Sequence, residues 1–577
     1  MLKYYTISLF LILSLNSSAQ NLKIVAGAVD TTTNTYHYFK GITDNDAKIF
    51  VAGKEFPVYG TGAFAAETEL KEGNNEIEII AQRGAKQTKE IVKIFRKRRN
   101  VITATEGFAI ENIEIFPPQD MTVAVNDVIK IKVKASPNCK VTWLNNIQLH
   151  ELPVSETNGI AGIYQSSYIV KDNDKNFKKP VRVKISNGKK SIKKEVKTKI
   201  VFMDKNAEPL MLRTKGELPY LNYGLGTDRL GGSKISHIVE GIILQATGKA
   251  GNLYKVQLSK NYQAWIPEDC VETVSPGMFK PQSLTGSWNA RSNEKYDIVS
   301  ISLGDKLPFR TFHEINPSKI IVDIFGATSN TSWITQYPET LKQIKNLTCE
   351  QIEDDIFRVI IELAHNHWGH KIEYRGNNLE ISVKHQPKLE LDSLHIAIDA
   401  GHGGSNIGAR GTTGSVEKDI NLKFAKILQE KLEAKRIKVS LTRNDDTDMS
   451  MSERILFLRK TNPDLLVSVH CNAGGSPFTG KGTSTYYRHI GFRPLSTAIL
   501  KRLLELDVNN FGNVGSFNFA LNSPIEYPNV LVETLFISSP EDEAKLLDDN
   551  FKNQMVDKII AGLQDFLDEQ KTNTADR

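Results

Sequence analysis

Ile396-Ala397-Ile398-Asp399-Ala400-Gly401-His402-Gly403-Gly404 decides how the C-terminal third folds. A short apolar run ends in an acid, and a glycine-rich turn then carries a histidine, so a strand delivers a polar side chain at its carboxyl end. Downstream, apolar strands alternate with helices of 3.6 period. A helix from about Val416 to Ala434 places Ile420, Phe424, Ile427, Leu428 and Leu432 on one side. Lys438 to Arg443 reads as a strand, and Ser450 with Glu453 forms a capping box opening a helix through Arg459. Strands are expected over Leu465 to Val469, Gly482 to Tyr487 and Asn529 to Thr534, with a helix from Pro494 to Leu506 between the last two. Ser539 with Pro540 at the first helical position starts another helix, and a final one turns Met555, Ile559, Leu563 and Phe566 inward. This pattern predicts a three-layer α/β domain over 390–571, a mixed twisted sheet flanked by helices.

Upstream of the linker-like Pro387-Lys388 the period is two, not 3.6. The 577 residues, 40% hydrophobic and 24% charged, make several folded modules rather than a disordered, collagen-like or polytopic membrane chain. Residues 1–20 read as a signal peptide: Lys3, a mostly apolar run from Ile7 to Leu15, then small residues around Ala19. That run is about half of the roughly 20 residues a membrane-spanning helix needs. Residues 21–97 alternate in short runs such as Ala47-Lys48-Ile49-Phe50-Val51, a pattern similar to an immunoglobulin-like β-sandwich. Residues 98–203, with Ile129-Lys130-Ile131-Lys132-Val133, predict a second sandwich. In 204–276, Tyr220-Leu221-Asn222-Tyr223-Gly224, Tyr254-Lys255-Val256 and Ala264-Trp265-Ile266 resemble a bacterial SH3-like barrel. In 277–386, Ile320-Ile321-Val322-Asp323-Ile324-Phe325 and Phe357-Arg358-Val359-Ile360-Ile361 are similar to envelope-targeting β-domains that precede cell-wall hydrolases. The fold class is thus an α/β domain preceded by several mainly-β domains.

A net charge of +6 does not point to nucleic acid, but it is unevenly spread. From Glu390 to Arg577 there are 22 Lys+Arg and 26 Asp+Glu, leaving +10 upstream. The basic clusters Arg96-Lys97-Arg98-Arg99 and Lys189-Lys190-Ser191-Ile192-Lys193-Lys194 are by default solvated faces. The sharper expectation is salt-screened attraction to an anionic envelope polymer. Cys139, Cys270, Cys349 and Cys471 lie far apart with no CxxC pair, so neither a disulfide framework nor a Cys-rich zinc site is expected.

His402, His470 and Glu533 all stand at or just past apolar strands, and Glu417 opens a helix after Gly403-Gly404. Two imidazoles and a carboxylate with an open position form a known catalytic zinc set, and a further carboxylate can carry protons. Singly, His402 reads as a turn residue, Glu417 as an acid favoured by the helix dipole, and His470 and Glu533 as polar strand ends. Together the ordered blocks Asp399-Ala400-Gly401-His402-Gly403-Gly404, Glu417-Lys418, Leu441-Thr442-Arg443, Ser468-Val469-His470-Cys471-Asn472-Ala473, Gly482-Thr483-Ser484-Thr485-Tyr486-Tyr487 and Val532-Glu533-Thr534-Leu535-Phe536-Ile537-Ser538 resemble the zinc-dependent N-acetylmuramoyl-L-alanine amidases. The resemblance implies that His402, Glu417 and His470 bind Zn²⁺ and that Glu533 is the catalytic carboxylate. It implies cleavage of the amide between the muramic acid lactyl group and the L-alanine of the stem peptide. The competing classes are a catalytically silent wall-binding scaffold and a zinc peptidase cutting inside the stem peptide.

The sequence has Ala400, Cys471 and Leu535 where that family commonly has Pro, Ala and Gly; Cys471 reads as a packing substitution. About forty residues separate Tyr487 from Asn529, too few for the inserted plug helix some members carry, so any regulation is expected to come from the upstream domains. The implied partner is peptidoglycan, with no nucleic acid, no integral membrane segment after signal cleavage, and envelope division proteins reached through the β-domains. The implied location is the periplasm or cell envelope. His365, His367 and His370 around Trp368 are expected to form a solvated strand or loop rather than a metal cluster. His150-Glu151 and His313-Glu314 lack the second His of a zinc-helix motif, with Val154 and Pro317 in its place.

Overall fold

The computed structural model describes residues 21–97, 105–144, 146–174, 181–204, 207–226 and 230–575. The expected signal peptide, and Arg98 and Arg99 of the first basic cluster, lie outside the described residues.

In the C-terminal domain the strands are β1 (His395–Ala400), β2 (Lys438–Leu441), β3 (Leu465–Asn472), β4 (Thr483–Tyr486), β5 (Asn510–Val514) and β6 (Asn529–Phe536). The helices are α1 (Glu417–Ala434), α2 (Met451–Thr461), α3 (Arg493–Leu503), α4 (Pro540–Leu547) and α5 (Asp549–Ala575). The strands form one six-stranded sheet in the order β2-β1-β3-β6-β4-β5. It is mixed, because β4 runs antiparallel to β6 while the other pairs are parallel. The chain leaves β1 towards β2 on one side and later returns to β3 on the other. The carboxyl ends of β1 and β3 therefore flank a topological switch point.

Alternation along the strands sends side chains to two cores. Ile396, Ile398, Ala400, Val467, Val469, Val530 and Val532 pack with Phe424 and Leu428 of α1, Leu495 and Ile499 of α3, and Met555, Ile559, Leu563 and Phe566 of α5. Ala397 and Leu466 point the other way, onto Ile455 and Leu458 of α2. Each fully buried aliphatic side chain of α5 contributes roughly 1.5–3 kcal/mol. That burial, more than helix propensity, fixes the long terminal helix. The α2 helix starts at a capping box, with Ser450 accepting from the Glu453 amide and the Glu453 carboxylate accepting from the Ser450 amide. The α3 helix belongs to this core and does not lie across the site.

Upstream, a three-stranded and a five-stranded sheet enclose Phe39, Ile49, Phe64, Ile79 and Ile94. Seven further strands surround Trp143 and Tyr164. Two short strands that pack on this second core, Met121–Val123 and Ile200–Phe202, pair with each other, and Met121 also pairs with Ala250. The second and third β blocks accordingly share a sheet. In the fourth block, four- and five-stranded sheets enclose Trp288, Val299, Val322, Phe357 and Ile381. The edge strand Ser191–Glu195, which carries Lys193 and Lys194 of the second basic cluster, is exposed at every residue.

The β blocks dock onto the α/β domain. Lys40 Nζ donates to the Ser538 carbonyl at 3.3 Å, Lys384 Nζ lies 3.0 Å from Asp464, and Asn366 Nδ2 donates to Gln570 Oε1 at 2.6 Å. The deepest contact corrects the expectation for residues 365–370. Trp368 inserts into the α/β core, its ring 5.6 Å from that of Phe566, and it draws His367 and His370 into the interface, where both are buried. His313 stacks on His367 at 4.2 Å, and His370 and His489 each lie 5.3 Å from His313. Gly491 is needed at this junction, because a β-carbon there would come within 2.7 Å of both the His367 and His313 rings. The ring nitrogens do not converge on a common point: among the described residues the only convergent group of metal-ligating side chains lies elsewhere.

Burial holds His367 and His489 down to about 4, against an ordinary value of 6.5, and keeps His313 and His370 well below it. Between about pH 6.5 and pH 4 the unfolded chain takes up protons that the folded cluster refuses. Stability is therefore lost as pH falls through that window, by up to about 1.4 kcal/mol per pH unit for each such imidazole. The urea midpoint is expected to drop between pH 7 and pH 4.5; a midpoint constant over that range contradicts the neutral, desolvated cluster.

Candidate metal centre

At the end of β1 the backbone turns sharply, and His402 adopts φ 62°, a conformation costly for a side chain with a β-carbon and one that clusters at functional sites. A buried ion pair holds it there. Asp399, fully buried, accepts from Thr442 Oγ1 at 2.8 Å and Ser468 Oγ at 2.7 Å, and pairs with Arg454 of α2. The same guanidinium donates to the Ala400 carbonyl at 2.9 Å and the His402 carbonyl at 2.6 Å. Burial alone would raise the Asp399 carboxyl, but the Arg454 charge holds it below the ordinary carboxylate value. Arg443, just past β2, adds bonds to the Ala400 and Gly401 carbonyls at 2.9 and 3.1 Å. Arg454 carries no signal of this role in the sequence; it is buried because α2 lies over the end of β1.

Around this turn the two histidines and the glutamate meet. His402 Nε2 and His470 Nδ1 each lie 3.1 Å from Glu417 Oε1, and their rings stand edge to face at 4.9 Å. Gly401 permits this, since a β-carbon there would come within 2.3 Å of the His470 ring. The remaining nitrogen of His402 is engaged by Asn406 Oδ1 at 3.0 Å, which fixes the ring's orientation as an outer-shell partner does in metal sites. Glu417 is anchored by the Ala409 amide, 2.8 Å from Oε2, and the Cys471 amide, 3.1 Å from Oε1. Burial pushes its carboxyl up, but the hydrogen bonds from His402 and His470 prevail and hold it well below the ordinary range. Burial works against protonation of His470, yet the Glu417 carboxylate leaves it raised, with Glu533 adding to the effect.

The donor atoms of His402, Glu417 and His470 all lie within 4.8 Å of one another. Ligands about a tetrahedral ion with bonds of roughly 2.0–2.1 Å are separated by about 3.3 Å, so the trio fits a zinc-sized ion with little movement. Glu533 stands next to it, paired in register with His470 across β3 and β6, and it is buried. Cys471 faces away into the core, its sulfur 3.4 Å from Asn421 Oδ1 and from Thr534 Oγ1.

A mixed α/β domain with an imidazole-and-carboxylate cluster at its switch point has the donor set of a metal-assisted enzyme. Residues 396–565 match the N-acetylmuramoyl-L-alanine amidase family, and residues 288–384 match the AMIN domain. The uncharacterised protein YqiI of Bacillus subtilis strain 168 is 31% identical over 198 residues, covering 34% of this chain and 95% of its own. The N-acetylmuramoyl-L-alanine amidase AmiC of Escherichia coli O6:H1 is 28% identical over 366 residues, covering 48% of this chain and 87% of its own. Among solved structures, the catalytic domain of CwlV, an N-acetylmuramoyl-L-alanine amidase from Bacillus (Paenibacillus) polymyxa var. colistinus, is 30% identical over 30% of this chain and 98% of that chain, with a TM-score of 0.29. The chain belongs to the N-acetylmuramoyl-L-alanine amidase family, with an AMIN domain ahead of its amidase domain.

Proposed function

We propose that the protein is a zinc-dependent peptidoglycan amidase of the periplasm or cell envelope, in which His402, Glu417 and His470 hold the metal and Glu533 carries the proton. The observation that supports this best is the approach of two imidazoles and one carboxylate to within 4.8 Å, a donor set that leaves a coordination position open on a four-coordinate ion. When bound, the ion would lower the pKa of a water from 15.7 to about 7 and polarise the scissile carbonyl. Glu533 would accept the water proton on its carboxylate and return it to the amine of the departing L-alanine. Asn406 would keep the His402 ring facing the site, and the Asp399–Arg454 pair would hold the strained turn that presents it. The β blocks would bring the enzyme to the wall and meet envelope division proteins. No helix among the described residues is long and apolar enough to cross a membrane.

The test is digestion of purified muropeptides with and without chelator, read by mass spectrometry. Stem peptides beginning at L-alanine, released only when metal is present, are expected. Cuts within the stem peptide would instead make the protein a zinc peptidase, and no release under any metal condition would make it a scaffold.

A further inference from the structure

Where the SH3-like block, the AMIN domain and the amidase domain meet, they enclose a cavity of about 590 Å³. Its walls include Lys234 and His237 from the first, His370 from the second, and Arg459, Arg488 and His489 from the third. Most of the charge here is neutralised: Arg459 pairs with Glu526 at 2.7 Å and Lys371 with Glu373 at 3.2 Å. Lys234 and Arg488 are different. Among the described residues Arg488 donates to neutral oxygens, Asn518 Oδ1 at 3.0 Å and the Lys234 carbonyl. The Lys234 ammonium lies 4.8 Å from the centre of the Tyr220 ring. Among the described residues neither cation has a carboxylate partner, and the other wall acids, Glu217 and Glu240, are exposed.

Two half-buried cations therefore share one cavity wall with no carboxylate partner among the described residues. Burial pushes Lys234 below its ordinary value, and the neighbouring Arg488 charge pushes it further down; burial likewise lowers Arg488. A pair of unneutralised cations withdrawn from water is costly unless an anion joins it. The wall also holds an unused polar atom: His370, 1% exposed, bonds Thr311 Oγ1 through Nε2 at 2.9 Å and leaves Nδ1 without a partner. The volume lies in the range of small-molecule sites, about 300–1,000 Å³. The positive wall makes it unfit for a metal cation.

We propose that this cavity binds a small molecule bearing an oxyanion, carboxylate or phosphate, between Lys234 and Arg488. Because the two cations come from different modules, the bound anion ties the SH3-like block to the amidase domain and acts as an effector separate from the substrate. The site does not depend on the zinc assignment, since none of its residues touches His402, Glu417 or His470.

The full chain is titrated with inorganic phosphate, and separately with the dipeptide L-alanyl-D-glutamate, by calorimetry at constant ionic strength, with sodium chloride as the control. Saturable binding is expected for at least one probe, at least tenfold weaker in both Arg488→Gln and Lys234→Gln. Tighter phosphate binding marks a phosphoryl ligand and tighter dipeptide binding a wall-derived carboxylate; either supports the site. Without anion, both variants should melt at or above the native temperature, because each removes an uncompensated cation. Equal binding in native and variant proteins, heats that follow ionic strength alone, or variants that melt well below the native protein would overturn the proposal.

Discussion

Glu533→Gln is expected to lower kcat for muropeptide hydrolysis by about 10²–10⁴-fold, the range removed with a positioned general acid–base, while leaving the bound metal in place. The two halves of that result are linked by geometry. Glu533 lies in register beside His470, but the convergent donor trio consists of His402, Glu417 and His470 without it. An amide of the same shape keeps the packing of a buried residue and can still hydrogen-bond, yet it cannot take a proton from water. The rate should therefore fall with metal stoichiometry and KM nearly unchanged. A variant that turns over at the native rate would remove Glu533 from the mechanism. One that loses metal along with activity would make it a ligand.

Trp368→Ala is expected to destabilise the protein by about 3–5 kcal/mol, the cost of truncating a large buried aromatic side chain. The tryptophan is carried by the AMIN domain, yet it is 1% exposed among core residues of the amidase domain. Its loss leaves a cavity at a junction also held by Lys384–Asp464 and Asn366–Gln570. The amidase core should weaken and its grip on the preceding block should loosen with it, opening the Pro387-Lys388 connection to proteolysis. A urea midpoint shift equivalent to less than about 1 kcal/mol, with the connection still protected, would show that the two domains fold independently of this contact.

Periodic elements are legible in the sequence alone. The inner face of α5, Met555, Ile559, Leu563 and Phe566, is buried throughout, and Ser450 and Glu453 form the expected capping box. The signals there are local, because a cap or an apolar stripe is written within a few residues. Asn510–Val514 escaped because an edge strand reading Asn-Phe-Gly-Asn-Val has neither alternation nor β-branched runs. Met121–Val123 is too short to announce that it pairs with the next block. His367 and His370 looked solvated because a polar residue next to tryptophan carries no mark of what covers it. The burial of Arg454 likewise depends on α2 lying over the end of β1. Spacing could place His402, Glu417 and His470 at strand and helix ends, but their meeting depends on long-range strand order, set by the whole sheet.

The most direct test of the metal centre is zinc-edge anomalous diffraction on crystals of the zinc-loaded protein, paired with metal analysis of His402→Ala. The account predicts one zinc per chain, with a single peak at bonding distance, roughly 2.0–2.2 Å, from a nitrogen of His402, a nitrogen of His470 and an oxygen of Glu417, and loss of that zinc in the variant. A peak at any other residues, or full zinc content after removal of His402, would contradict it.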